Sequence, residues 1–150
     1  MFNDFESSLN NVLVDTFNNI LKFEEISLRD MAYGPVTIGE AHMIEIVGRQ
    51  GGHTTVSEIA GLMNIALPTA TVAVKKLERK GFVTKLPCSD DGRRNIITLT
   101  DSGRRIDKAH QLFHRKMVRN ISRDFADSEK EILLVAIKKL DSFFKQKVEA

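Results

Sequence analysis

A single cysteine, Cys88, stands in a chain of 150 residues, so no internal disulfide can form and nothing in the cysteine usage marks an oxidising compartment. Long apolar runs are missing as well, and none approaches the roughly 20 residues that cross a bilayer. The first residues, MFNDFESSLNN, lack the basic start and apolar stretch of a secretory signal. These absences set the expectation of a cytoplasmic chain with no membrane partner. Internal repeats, low-complexity tracts and linkers are absent too. So are the spacings that enzymes need: there is no nucleophile-base-orienter set and no phosphate-cradling glycine loop, and an enzymatic role is not expected.

What is there suits one folded domain over residues 1–150. Apolar residues make up 42% and charged residues 28% of the chain, which is enough to build a core and too little charge for disorder. The net charge of +2 says little until it is divided. From Thr69 to Arg94 seven basic residues face three acidic ones, a net of +4, whereas the rest carries 15 basic against 17 acidic, a net of −2. A local basic segment of this kind fits an anion-binding surface such as one for nucleic acid. A solvated helix face with chance excess charge is the plain alternative.

The order of elements sharpens this. Phe2, Phe5, Leu9, Val12, Leu13, Thr16, Ile20 and Phe23 recur at three- and four-residue intervals, predicting a long first helix ended by Gly34-Pro35. The stretch TIGE offers a Thr37/Glu40 capping box for a second helix through about Val47, closed by Gly51-Gly52. A short third helix is expected from Thr55, with Glu58 reaching back, to about Asn64. A fourth starts at Pro68, which suits a first helical position, and runs to Gly81. Phe82-Val83-Thr84 and Ile96 to Leu99 then enclose SDDGRR, a strand-turn-strand pattern. Two long helices follow within 99–125 and 127–148, the last with a candidate Ser128/Glu131 capping box.

A short helix, a turn of about three residues, a lysine-bearing helix and a β-hairpin make a winged helix-turn-helix. The fold class is therefore mainly α with a small β-hairpin wing, the DNA-binding unit spanning about 53–100. In such a unit the second helix enters the major groove of double-stranded DNA, and arginine at the hairpin tip can reach the minor groove. Both signs of charge at the tip then have work to do, Arg93 touching DNA beside Arg94 and Asp91 holding Arg93 in place.

LERKGFV, the wing DDGRRNIITLT and the following DSGRRI resemble the MarR family of bacterial transcription regulators. The resemblance covers essentially the whole chain. It implies a homodimer in which the first, fifth and sixth helices, about 1–33 and 101–148, intertwine. Apolar residues on more than one face of those helices, Leu133, Val135 and Ile137 beside Leu134, Leu140 and Phe144, agree with association. Thr69, Thr71 and Lys75 match positions that face DNA in this family, while Thr55 and Ser57 suit either phosphate contact or ordinary capping. Leu67 departs from the Ser or Thr that members often place before this helix.

The effector is open to two readings. His110 and His114, four apart, can share a metal, or merely meet at an interface. Zinc-responsive members of the family use one glutamate and three histidines, and Glu24, His42, His110 and His114 resemble that set, with Glu25 as a substitute for Glu24. One zinc per chain is the cofactor this implies. FNNIL, EEISLRD, GEAHMIEIVG and AHQLFHRKMV look instead like the fatty-acid-synthesis repressor branch. That resemblance implies a repressor of fatty-acid or lipid genes that takes a long-chain acyl group, carried on acyl carrier protein, into an apolar tunnel. Phe17, Leu21, Met43, Ile46 and Phe113 are candidate lining, and each is equally a plain core residue. Cys88 lies in the wing, away from the N-terminal position of peroxide-sensing members, so redox sensing is not expected. A winged-helix protein-interaction module without DNA binding is the reading from another class, and salt-dependent duplex binding separates it from a regulator.

Overall fold

The computed structural model describes residues 1–30, 36–87 and 95–149. The expected Gly34-Pro35 break and the wing-tip residues Cys88, Asp91, Arg93 and Arg94 lie outside the described residues. The elements are α1 (Asp4–Asp30), α2 (Ile38–Arg49), β1 (His53–Thr54), α3 (Val56–Met63), α4 (Leu67–Arg79), β2 (Val83–Pro87), β3 (Asn95–Leu99), α5 (Asp101–Arg123) and α6 (Asp127–Glu149). The mainly helical class with a small sheet is as the sequence predicts. By packing, the chain divides into Met1–Phe113 and His114–Ala150, a division that falls inside the continuous helix α5.

Local chemistry explains where the helices begin and end. Both expected capping boxes form. The Thr37 hydroxyl accepts from the Glu40 backbone N–H at 3.2 Å while Glu40 accepts from that of Thr37 at 3.1 Å; Thr55 and Glu58 do the same at 3.2 and 2.9 Å. Such a box satisfies donors that a helix start otherwise leaves bare. At the end of α4, Gly81 takes φ +79°, which side chains disfavour. The N–H groups of Gly81 and Phe82 then close on the carbonyls of Glu78 and Leu77, both at 3.0 Å, the hydrogen-bond pattern of a Schellman stop.

Three boundaries differ from expectation. Helix α2 continues two residues past Val47, to Arg49. Helix α4 begins at Leu67, so Pro68 is its second residue, and Ala66 provides no side-chain cap. Ser128 lies inside the first turn of α6, and it is Glu129 that reaches back, accepting from the Ala126 N–H at 2.7 Å. The wing is also larger than a hairpin: β1 pairs antiparallel with β3, giving the order β1-β3-β2. Register runs from Val83 opposite Leu99 to Pro87 opposite Asn95, with His53 opposite Thr98.

The core of the winged helix gathers Ile44 and Val47 of α2, Ile59 of α3, Val74 and Leu77 of α4, Val83 and Ile97 of the sheet, and Ile106 of α5. Burying an aliphatic side chain fully is worth about 1.5–3 kcal/mol, and these sit at or below 1% exposure. The LT-x-x-G stretch fixes the start of α5 on this core. The Thr100 hydroxyl accepts from the Gly103 N–H at 3.1 Å and donates to the Gly81 carbonyl at 2.6 Å, and the Thr100 N–H donates to Phe82 at 3.0 Å. A Cβ on Gly103 would overlap that Phe82 carbonyl, so only glycine lets α5 approach so closely. Helix α6, by contrast, buries none of its residues. Among the described residues no single helix is long and apolar enough to cross a membrane.

Candidate functional site

Two arrangements stand out, one on the surface of α4 and one buried among α1, α2 and α5. Three residues, Asn64 to Ala66, separate α3 from α4, the tight turn that a helix-turn-helix requires. Ala70, Val74 and Leu77 face the core, so at 3.6 residues per turn the opposite ridge carries Pro68, Val72, Lys75 and Arg79. Val72, Lys75, Glu78, Arg79 and Lys85 line a groove of about 350 Å³ between α4 and β2. Of the predicted contacts, Thr69, Lys75 and Ser57 are exposed. The Thr71 hydroxyl is occupied, donating to the Leu67 carbonyl at 2.9 Å, and the Thr55 hydroxyl caps α3.

The basic segment is thinner than its sequence charge suggests. Lys80 donates to both carboxylate oxygens of Glu40, at 2.9 and 2.8 Å, and Lys76 lies 3.4 Å from the same carboxylate. Burial alone would raise the Glu40 pKa, but the hydrogen bonds from Lys80 and from the Thr37 backbone, with the Lys80 charge, bring it below its ordinary value. Two of the seven cations are thus spent on tying α4 to α2. Lys75 and Arg79 stay on the outer ridge, with Lys85 across the groove, 4.0 Å from Glu78.

The buried arrangement centres on Glu24, 3% exposed, and His110, fully buried. The Nε2 atoms of His42 and His110 lie 2.9 and 2.6 Å from the same oxygen of Glu24, Oε1. The two imidazoles are 5.4 Å apart between ring centres. Nδ1 of His110 faces Glu45 at 3.2 Å, an ion-pair contact off the line of a hydrogen bond. Burial pushes the Glu24 pKa up, and the histidine hydrogen bonds and charges more than offset it, leaving the group below its usual value. Asp107 is raised, chiefly by burial with the Glu45 charge adding to it, against a hydrogen bond from Gln111. Since α5 is continuous, His114 follows His110 by one turn on the same face, and Glu24, His42, His110 and His114 each offer a ligand atom, all within 4.8 Å of one another. Glu25, the substitute, faces outward and pairs with Lys22 and Arg29.

One carboxylate oxygen and three imidazole nitrogens are a donor set that zinc accepts in tetrahedral geometry. Bonds of about 2.0–2.1 Å would hold such donors about 3.3 Å apart, so the four would fit if the 2.6 and 2.9 Å pairs opened slightly and the wider ones, at up to 4.8 Å, closed. Glu45 beside the second nitrogen of His110 matches the carboxylate that commonly orients a metal-bound imidazole.

A family model described as the MarR family matches residues 36–94. The chain is similar to the structure of Streptococcus pneumoniae FabT in complex with DNA, with a TM-score of 0.88 at 29% identity, covering 93% of this chain and 97% of that one. The segment that forms the winged helix thus matches the MarR family, and the chain has the fold of a MarR-type winged-helix regulator. A DNA complex of Staphylococcus aureus MepR has the same fold, with a TM-score of 0.71 at 20% identity over 89% of this chain and 96% of that one. The HTH-type transcriptional regulator PchR of Bacillus subtilis is 28% identical over 96 residues, and the match spans 63% of this chain and only 55% of that regulator.

Within this fold the five candidate acyl-pocket residues have unlike surroundings. Met43 belongs to the winged-helix core with Ile46 packed against it, Leu21 is half-buried and Phe17 is exposed. Phe113 packs between Phe23, at 5.0 Å between ring centres, and His110, at 6.5 Å. Residues that sequence reasoning passed over include Val72, Arg79 and Lys85 in the groove and Glu45 beside His110. Helical phase measured from the buried Ala70–Val74–Leu77 stripe would have found the first two. Glu45 carried a signal as well, since it lies three residues beyond His42 on the neighbouring face of one helix.

Proposed function

We propose that this protein is a homodimeric repressor of fatty-acid or lipid-metabolism genes that binds duplex DNA and responds to a long-chain acyl group delivered on acyl carrier protein. The observation that carries DNA binding is the outer ridge of α4, where Lys75 and Arg79 stand opposite the buried face with Lys85 across the groove. Cations so placed suit phosphates on either side of a major groove, with the exposed Thr69 near the helix N-terminus. Arg93 in the minor groove, positioned by Asp91 and aided by Arg94, completes the proposed contact. The similarity to FabT supports the lipid-gene assignment. Homodimerisation is supported by the apolar faces that α1 and α6 expose, among them Phe5 at 73% and Ile132 at 71%. The test is a duplex-binding titration at several salt concentrations, repeated with a palmitoyl or oleoyl carrier protein. Affinity should fall steeply with salt and change on adding the acylated carrier but not the bare one. The same affinity with both carriers would remove the acyl effector.

A second reading, zinc-dependent regulation, is favoured by the convergence of Glu24, His42, His110 and His114. Zinc bound there would act as a crosslink between helices, while the protein's own part is to hold Glu24 ionised in a buried site with Glu45 orienting His110. Elemental analysis of the purified dimer should give about one zinc per chain, lost in the His110→Ala/His114→Ala variant. Absence of metal after incubation with zinc would leave the cluster as a hydrogen-bonded link between helices.

A further inference from the structure

Helix α4 presents one residue that neither capping, core packing nor charge explains. Val72 lies about 180° around the helix from the buried Ala70–Val74–Leu77 stripe and is 65% exposed. A β-branched residue loses side-chain freedom in a helix, and an exposed helical position is better filled by alanine, leucine or lysine. Of the exposed apolar side chains of α4, Leu67 is at the first residue, whereas Val72 sits in the body of the helix with Lys75 one turn on and Arg79 two turns on. Val72 lines the groove of about 350 Å³ together with those two cations, Glu78 and Lys85.

A side chain with no donor or acceptor cannot read the hydrogen-bonding edge of a base. In the major groove the apolar feature it can meet is the 5-methyl group of thymine. We propose that Val72 packs on a thymine methyl and so sets one base preference in each half-site. The inference rests on the DNA-binding reading above and names the base class that this helix selects. Lys75 and Arg79 hold the helix against phosphates, and the short, stiff valine has its fixed rotamer aimed at the groove floor.

The test begins by selecting duplexes from a random library with the wild-type dimer. In the selected duplex, each thymine is then replaced by deoxyuridine in symmetric pairs, which deletes only the methyl group. One pair should weaken wild-type binding by about fourfold per half-site, the value of one buried methyl group. Val72→Ala should lose sensitivity to that same pair while its other preferences persist, the coupling expected of direct contact. Wild-type binding that is indifferent to every uracil pair overturns the inference, as does a Val72→Ala protein that stays fully sensitive. In both cases DNA recognition itself survives. If no duplex is enriched, DNA recognition fails and the inference fails with it.

Discussion

The winged helix and the outer helices use apolar residues in opposite ways. Around Ile44, Val47, Ile59, Val74 and Ile97 each side chain is fully buried, and six elements contribute to one cluster. Helix α6 carries Ile132, Leu133, Leu134, Val135, Ile137, Phe143 and Phe144, and buries none of them; α1 turns only Glu24 and Leu28 inward. The first region completes its own core. The second holds apolar surface in quantities that a lone chain rarely exposes, the observation on which the proposed dimer rests. The one inward polar anchor of α1, Glu24, is where it meets α2 and α5.

The comparison can be broken at either end. The largest effect is expected from Leu134→Glu combined with Ile137→Glu, two neighbours on one face of α6. Burying unpaired carboxylates costs several kcal/mol, so the dissociation constant of the proposed dimer should rise by about a thousandfold or more in sedimentation equilibrium. The winged helix of the resulting monomer should keep its chemical-shift dispersion, and a monomer that unfolds throughout would end the contrast. Next, Ile97→Ala, in the middle of β3, should cost about 2–5 kcal/mol in denaturant unfolding. Gly103→Ala should cost about 1–3 kcal/mol, because the new methyl must displace the Phe82 carbonyl. The smallest effect belongs to Thr55→Ala, about 1 kcal/mol from the loss of one cap, read as a small drop in melting temperature with duplex affinity close to wild type. A large loss of affinity there would make Thr55 a DNA contact as well as a cap.

What could be read in advance was local. Thr37 with Glu40, and Thr55 with Glu58, announce their helices within four residues, and Gly81 marks a left-handed stop; such features depend on near neighbours and survive any tertiary context. Strand β1 was invisible because two residues, His53 and Thr54, carry no periodicity. Ser128 lost to Glu129 because helix ends shift by one or two residues when another side chain reaches the free N–H, here that of Ala126. Charge counting overstated the basic surface, since Glu40 is some 40 residues from Lys76 and Lys80 in sequence and adjacent in space. The Glu/His set was expected from family resemblance, with Glu24 as its acid or Glu25 in its place; the structure turns Glu24 inward and leaves Glu25 at the surface.

The first turn of α5 has a mechanical consequence. Thr100 is bonded to Gly81, where α4 stops, and to Phe82, where β2 begins, while Arg104 holds the Leu99 carbonyl at 2.8 Å. With Gly103 seated on the Phe82 carbonyl, there is no slack in which a twist of α5 could be lost. The start of α5 is thus keyed to the end of α4 and the start of the sheet, and none of the three can shift against the others without breaking hydrogen bonds made through Thr100.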